Sequence, residues 1–278
     1  MIYPGIRSEI GSALRTPQDR VLNALDPDAA VTAFFAKLGA SPKLWLDPSQ
    51  RWMVSADLSG ATPISTGVGV GRVLDRSGAG NHVGKAAPSS LLTWQTDGTL
   101  SWLQANGGSD YLLNTLANFV LSGTDKLTLI AGLRKASDAA VGVLAETSAN
   151  WTANAGTFTV RAPHVAGQPT FYFGLNSSAL DIVVGTGYAA PISTVVECAF
   201  DIAGAGILDE IKPVINGTLI TTGAAGSPGT GNFGNYVLNL LKGLTGNVYG
   251  LMLIGGAVSA ADRLMLRACM AGKSGVAL

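Results

Sequence analysis

From Lys43 onward, apolar runs rich in β-branched and aromatic residues alternate with turn clusters of Gly, Asn, Asp, Ser and Pro every ten to fifteen residues or so. Short runs at that spacing cannot be long helices, and they direct the chain toward two packed antiparallel sheets. The pattern predicts strands at Leu127 to Leu133, Val141 to Ala145, Thr157 to Ala162, Thr170 to Leu175, Ile182 to Val184, Thr194 to Phe200 and Lys212 to Ile220. Within the last of these, Asn216-Gly217 sits between Val214-Ile215 and Thr218-Leu219. That is a strong hairpin signal, because both central positions of a type I′ turn require positive φ. Ala224 to Gly234 is dense in glycine, carries Pro228 and predicts a loop. The 36 glycines are spread through such turns, which excludes a collagen-like repeat and a single disordered tract.

Three segments carry a more specific pattern. Leu44-Trp45-Leu46-Asp47-Pro48-Ser49 is followed by Asp75-Arg76-Ser77-Gly78-Ala79-Gly80-Asn81-His82 and then by Asp110-Tyr111-Leu112. The middle segment is a tight polar loop. Its glycines supply positive φ, and its short polar side chains bond to their own backbone. Val73-Leu74 and Trp102-Leu103 read as strands on either side. This order resembles the start of laminin-G-like or concanavalin A-like β-sandwich modules of bacteriophage virion proteins. The end is similar too, with the apolar run Val248 to Ile254 followed by a helical stretch from Ser259 to Leu278. Ser259-Ala260-Ala261-Asp262 is a variant of the capping box at the start of that helix. Relatives often carry Phe-Asp-Gly before the Asp-Tyr pair, whereas this chain reads Leu103-Gln104-Ala105-Asn106-Gly107-Gly108-Ser109. The resemblance covers residues 43 to 278 and implies an all-β, concanavalin A-like jelly-roll sandwich with a helical N-terminal segment and a short C-terminal helix.

Residues 1 to 42 differ in character and are assigned as a separate helical anchoring segment. Thr16-Pro17 starts a helix that would run to Leu25, and Asp26-Pro27 restarts it. Asp28 to Leu38 then carries Ala30, Val31, Phe34, Phe35 and Leu38 at helical spacing, and Gly39 ends it. Such an apolar face packs either on its own sandwich or on a neighbouring subunit. The second reading is favoured, with Phe34, Phe35 and Leu38 as assembly residues.

The 18 basic and 18 acidic residues cancel, so nothing marks a nucleic acid or anionic membrane as partner. Charged residues make up only 13% of the chain, and the mean hydropathy is +0.33. Few charges and no net charge favour association, which suits a subunit of an assembly. No run is long enough to span a membrane, and the N-terminus lacks the pattern of a secretory signal. With the resemblance, this implies assembly in the bacterial host cytoplasm and residence in a virion, with sister subunits and other virion proteins as partners. Cys198 and Cys269 have no partner motif; Cys269 shares a helical stripe with Ala261, Leu264, Met265 and Ala268, which predicts a buried thiol.

Motifs for catalysis are mostly missing. His82 and His164 have no second ligand nearby, and no Gly-x-Ser-x-Gly elbow occurs. Gly78 to Lys85 fails as a phosphate loop, since Ala79 stands five before Gly84 and Ala86 follows Lys85. A glycosidase needs two carboxylates across a groove, and here they would have to come from separate elements. No catalytic residue is therefore assigned. Asp75 and Asn81 could ligate Ca²⁺, but the favoured reading is a structural loop of Asp75, Ser77, Gly78, Gly80, Asn81 and His82, in which Asp75 accepts backbone amides and His82 closes the turn. No other cofactor is expected. Trp45 and Trp102 lie in apolar runs and are assigned to the core, whereas Trp52, Trp94 and Trp151 adjoin polar turns and are the candidates for stacking on a sugar. The functional expectation is a non-catalytic virion structural protein that serves as a weak multivalent adhesin for host-surface glycans. A glycan hydrolase on the same fold and a purely architectural decoration protein are the alternatives.

Overall fold

The computed structural model of the protein describes residues 27–108, 112–114, 119–148 and 150–278, with backbone only at 27, 86–91, 113 and 114. The helix expected at Thr16 to Leu25 and the Asp110-Tyr111 pair lie outside the described residues. Helix α1 (Pro27–Lys37) leads into strands β1 (Lys43–Leu46), β2 (Val54–Ser55), β3 (Gly69–Val73), β4 (Val83–Thr96), β5 (Ser101–Asn106) and β6 (Leu112–Asn114). Strands β7 (Phe119–Val120), β8 (Lys126–Lys135), β9 (Val143–Thr147), β10 (Thr157–Arg161), β11 (Thr170–Asn176), β12 (Leu180–Thr186) and β13 (Ile192–Asp201) follow. A short helix α2 (Ile207–Glu210) precedes β14 (Ile211–Ile215), β15 (Thr218–Leu219), β16 (Asn235–Tyr236), β17 (Leu238–Leu240) and β18 (Thr245–Gly255), and α3 (Ala260–Ser274) closes the chain.

The main ladder runs β12-β11-β10-β9-β17-β6-β4-β5-β18-β8-β13-β14-β15, with antiparallel pairing between neighbours. It folds over on itself. Phe158 of β10 and Phe200 of β13 lie eight places apart in this order, yet their rings are 5.5 Å apart across the interior. The result is the expected all-β sandwich, whose core joins Leu44, Leu129, Phe158, Phe173, Phe200 and Leu253. Asn216 and Gly217 both take positive φ, at 48° and 81°, and make the predicted hairpin between β14 and β15.

A second core lies on the outer face. Val31 and Phe35 of α1 and Leu266, Cys269 and Met270 of α3 cover Trp45, Ile130, Val195, Met252 and Ile254. Strands β8 and β18 are therefore buried on both faces. This is why their sequences read as near-continuous apolar runs rather than alternating ones. Gly132 and Gly250, paired across β8 and β18, form the seat for α3. A Cβ on Gly132 would meet the Met270 carbonyl at 3.0 Å, and one on Gly250 would meet Met270 Sδ at 2.8 Å. Ser259 caps α3 as expected, its hydroxyl accepting the Asp262 N–H and donating to the Asp262 carboxylate at 2.6 Å.

The second core corrects the reading of the N-terminal segment. Phe35 is not kept for a neighbouring subunit: it is buried and stacks on Trp45 at 5.4 Å. Phe34 and Leu38 are half-buried against the same cluster. Lys43 Nζ donates to the Phe35 and Gly39 carbonyls at 2.8 Å each, so the end of α1 is tied to the first strand. The compositional break at Lys43 is thus not a break in packing. Both cysteines are buried free thiols. Trp45 is core as expected, while Trp102 is only half-buried and leans on Tyr249.

Candidate ligand-binding groove

The polar loop between β3 and β4 is a staple. Asp75 Oδ1 accepts the amides of Trp45 and Ser77 at 2.9 and 2.8 Å, and Oδ2 accepts the Ser77 hydroxyl and the Asn81 amide at 2.8 and 3.0 Å. His82 Nδ1 accepts the Asp75 N–H at 2.9 Å, and the Asn81 side-chain amide donates to the Lys43 carbonyl at 2.8 Å. Gly78 and Gly80 take positive φ in the turn. Four donors occupy the Asp75 carboxylate and Asn81 is turned toward β1, so the calcium reading of this pair gives way to the structural one. Among the described residues no group of three or more His, Cys, Asp or Glu is placed to hold a metal ion.

Beside this loop a charge cluster locks the helices down. Arg76 lies 4.1 Å from the centre of the Trp45 ring and bridges Asp28 and the buried Asp47, and Lys273 of α3 reaches the same two carboxylates at 2.9 and 3.0 Å. Burial favours the neutral form of Asp28, but Arg76 and Lys273 outweigh it and hold the carboxyl below its usual range. Two acids and two bases balance here, leaving no net charge for a ligand.

The three candidate tryptophans separate clearly. Trp94 is 4% exposed and its Nε1 donates to the Pro48 carbonyl at 2.9 Å, while Trp151, also 4% exposed, packs edge-on against Tyr172 with Arg161 over its ring. Both belong to the interior, which corrects their assignment as ligand platforms. Trp52 is 71% exposed. It sits on the 3₁₀ turn Arg51–Met53 between β1 and β2, with Nε1 donating to Gln50 Oε1 at 3.3 Å.

Around Trp52 lies a groove of about 380 Å³ lined by Arg51, Trp52, Val54, Ser55, Gly60, Pro63 and Ile64. Its walls are fixed. Arg51 Nε donates to the Ile64 carbonyl at 2.8 Å, joining the turn to the far wall. The loop above is wound around Asp57, whose carboxylate accepts Ser59 Oγ, Gly60 N, Ala61 N and Thr62 N at 2.6 to 3.1 Å. These bonds, the Ser59 hydroxyl first, hold the Asp57 carboxyl far below the ordinary carboxylate range. Arg72 Nη1 donates to the Ser59 carbonyl at 3.1 Å and braces the same loop. The arrangement offers an exposed indole face, an apolar floor and polar groups at the rim, the composition of a small-ligand site. Sequence reading identified Trp52 but missed Arg51, Pro63 and Ile64. Pro63 and Ile64 are twelve and thirteen residues from Arg51, and no short-range spacing signals their approach.

Among solved structures the chain is similar to a botulinum neurotoxin serotype D binding domain, with TM-score 0.54 and 10% identity over 84% of this chain and 51% of that one. It is similar also to the binding domain of botulinum neurotoxin DC in complex with rat synaptotagmin II, with TM-score 0.53 and 11% identity over 84% and 52%. The chain spans about half the length of these binding domains. A Ruminococcus gnavus IT-sialidase CBM40 matches at TM-score 0.38 and 14% identity, over 59% of this chain and 96% of that domain. No family model and no curated protein matches. The likeness to the two neurotoxin binding domains establishes the β-sandwich fold.

Proposed function

We propose that the protein is a non-catalytic sandwich module that binds glycans weakly at the Trp52 groove and is displayed in many copies on a bacteriophage virion. The observation that carries the binding reading is the indole of Trp52, 71% exposed on a braced turn above an apolar groove. A pyranose has an apolar face that stacks on an aromatic ring, and Arg51 and Ser55 line the groove with polar groups to meet its hydroxyls. The virion setting rests on the resemblance carried by Leu44 to Ser49, Asp75 to His82 and the closing strand and helix. The similarity to neurotoxin binding domains supports a sandwich suited to receptor recognition. Against the hydrolase alternative, Asp181 and Glu210, two acidic side chains that approach each other, are both fully buried and do not face across a groove.

The test is a glycan array probed with the monomer and with a multivalent display of the same chain. The expected result is binding by the multivalent form, reduced at least about tenfold by Trp52→Ala, since linked copies amplify a weak site. The reading fails if Trp52→Ala binds like wild type, or if any glycan is cleaved. Binding by neither form would leave the architectural role as the better account.

A further inference from the structure

Two acidic side chains from separate elements meet under the glycine-rich strap 223–229. Asp181 lies on β12, on the inward face with Val183 and Gly185, and Glu210 is the last residue of α2; both are fully buried. Neither forms an ion pair among the described residues. The two carboxyl groups approach each other closely enough to interact, and among the described residues neither Asp181 oxygen nor Glu210 Oε2 has a side-chain donor. The strap supplies backbone contacts only: the Gly229 amide donates to Glu210 Oε1 at 2.7 Å, and the Ser227 amide faces Asp181. It is also bonded to the edge strand, with Ile182 N–H donating to the Ala225 carbonyl at 2.8 Å and Ala225 N–H to the Ile182 carbonyl at 3.0 Å. A Cβ on Gly226 would fall 2.3 Å from Asp181 Oδ1, so the strap approaches the pair as closely as backbone can.

Among the described residues no free cation lies against this pair. Asp201 of β13 adds a further negative charge and is itself held by Lys126, Asp209 pairs with Lys212, and the strap contributes no titratable side chain. Two carboxylates in contact cannot both ionise without a large cost, and one proton between them removes it while supplying the missing donor.

We propose that Asp181 and Glu210 share one proton and form a latch that holds the edge strand β12 and α2 together beneath the glycine-rich strap and releases them when the proton is lost. Burial, and then the charge of Asp181, push the Glu210 carboxyl up to about 7, and burial raises Asp181 as well. The folded state thus keeps a proton that the unfolded chain loses near the ordinary value of 4.5. Stability from the latch is complete at low pH and is lost as pH rises toward 7. Once both groups ionise, their repulsion drives β12 and α2 apart, and the strap, bonded to Ile182 on one and to Glu210 on the other, cannot keep both contacts. The backbone groups of β12 that now pair with Ala225 become an open sheet edge.

The test is hydrogen–deuterium exchange of the full chain, corrected for the intrinsic rate, at Ile182 and Ala225. Protection in the wild type should fall by roughly tenfold or more between about pH 5.5 and about pH 8.5. In Glu210→Gln and in Asp181→Asn, where the amide can donate in place of the shared proton, protection should stay high at both pH values. The proposal is overturned if wild-type protection does not change with pH, or if both variants show the same fall. It is overturned equally if calcium chloride restores protection at the higher pH in the wild type, since the pair would then be a cation site.

Discussion

Asp75 and His82 do at the scale of single residues what the loop sequence implies. Asp75 joins β1 to its own turn through four accepted hydrogen bonds. Removing the carboxylate would leave the Trp45 amide without an acceptor in the interior, so Asp75→Ala is expected to cost about 1–3 kcal/mol in urea unfolding. Added calcium should stabilise neither the wild type nor this variant through the loop. His82 must be neutral to accept the Asp75 N–H, and burial, with Arg72 adding to it, lowers its pKa from the ordinary 6.5. The unfolded chain therefore takes up the proton first. The stability His82 contributes is present above about pH 6.5 and is lost as pH falls through its folded pKa. His82→Gln should flatten this acid limb in thermal melts recorded between about pH 4 and pH 7.

Among elements, the fit of α3 to the sheet is the most demanding. Glu197 of β13 is buried and meets Arg263 and Arg267, one turn apart on α3, at 3.1 Å each, while the Gly132–Gly250 pair lets the helix backbone come down onto the strands. Burial raises the Glu197 pKa, with the two arginines opposing it. An added methyl group tests the contact. Gly132→Ala would press on the Met270 carbonyl and Ser274 Cβ, which cannot swing aside, and should cost about 1–3 kcal/mol. Gly250→Ala meets mainly the flexible Met270 thioether and should cost less in the same denaturation assay. The reverse order would mean that α3 shifts as a rigid body rather than repacking its side chains.

For the whole molecule, the two cores make α1 part of the stability of the sandwich. Cutting the chain at Lys43 would uncover Trp45 and Ile254 and leave Arg76 and Lys273 without Asp28. Uncovering a large buried side chain costs about 1.5–3 kcal/mol, so a residue 43–278 fragment should lose several kcal/mol of a total that is typically about 5–15 kcal/mol. A lowered melting temperature and dye binding to the exposed outer face would confirm this. A fragment as stable as the full chain would show that α1 merely rests on the sheet. The pH profile of the intact protein should combine two opposed effects. His82 favours folding as pH rises to about 6.5, and the Asp181–Glu210 pair disfavours it as pH rises toward 7. His82→Gln and Glu210→Gln should each remove one of these components without the other.

Runs such as Leu127 to Leu133 and Val248 to Ile254, the Asn216-Gly217 hairpin, the Ser259 cap and the Asp75 loop are local signals. They depend on side-chain periodicity, positive φ and short-range hydrogen bonds, so the sequence by itself determined a β-sandwich with a stapled loop and a closing helix. Exposure is not local in that sense. Trp52 and Trp94 both adjoin polar turns, and only the fold decides that one is buried with its indole N–H on the Pro48 carbonyl while the other stays in solvent. Phe34 and Phe35 looked alike on one helix face until Trp45 stacked on the second. Asp181 and Glu210 are unremarkable in the chain and become a buried pair only because α2, β12 and a distant strap converge. Burial and charge pairing between segments far apart in sequence arise from the packing of whole layers, and tertiary structure alone sets them.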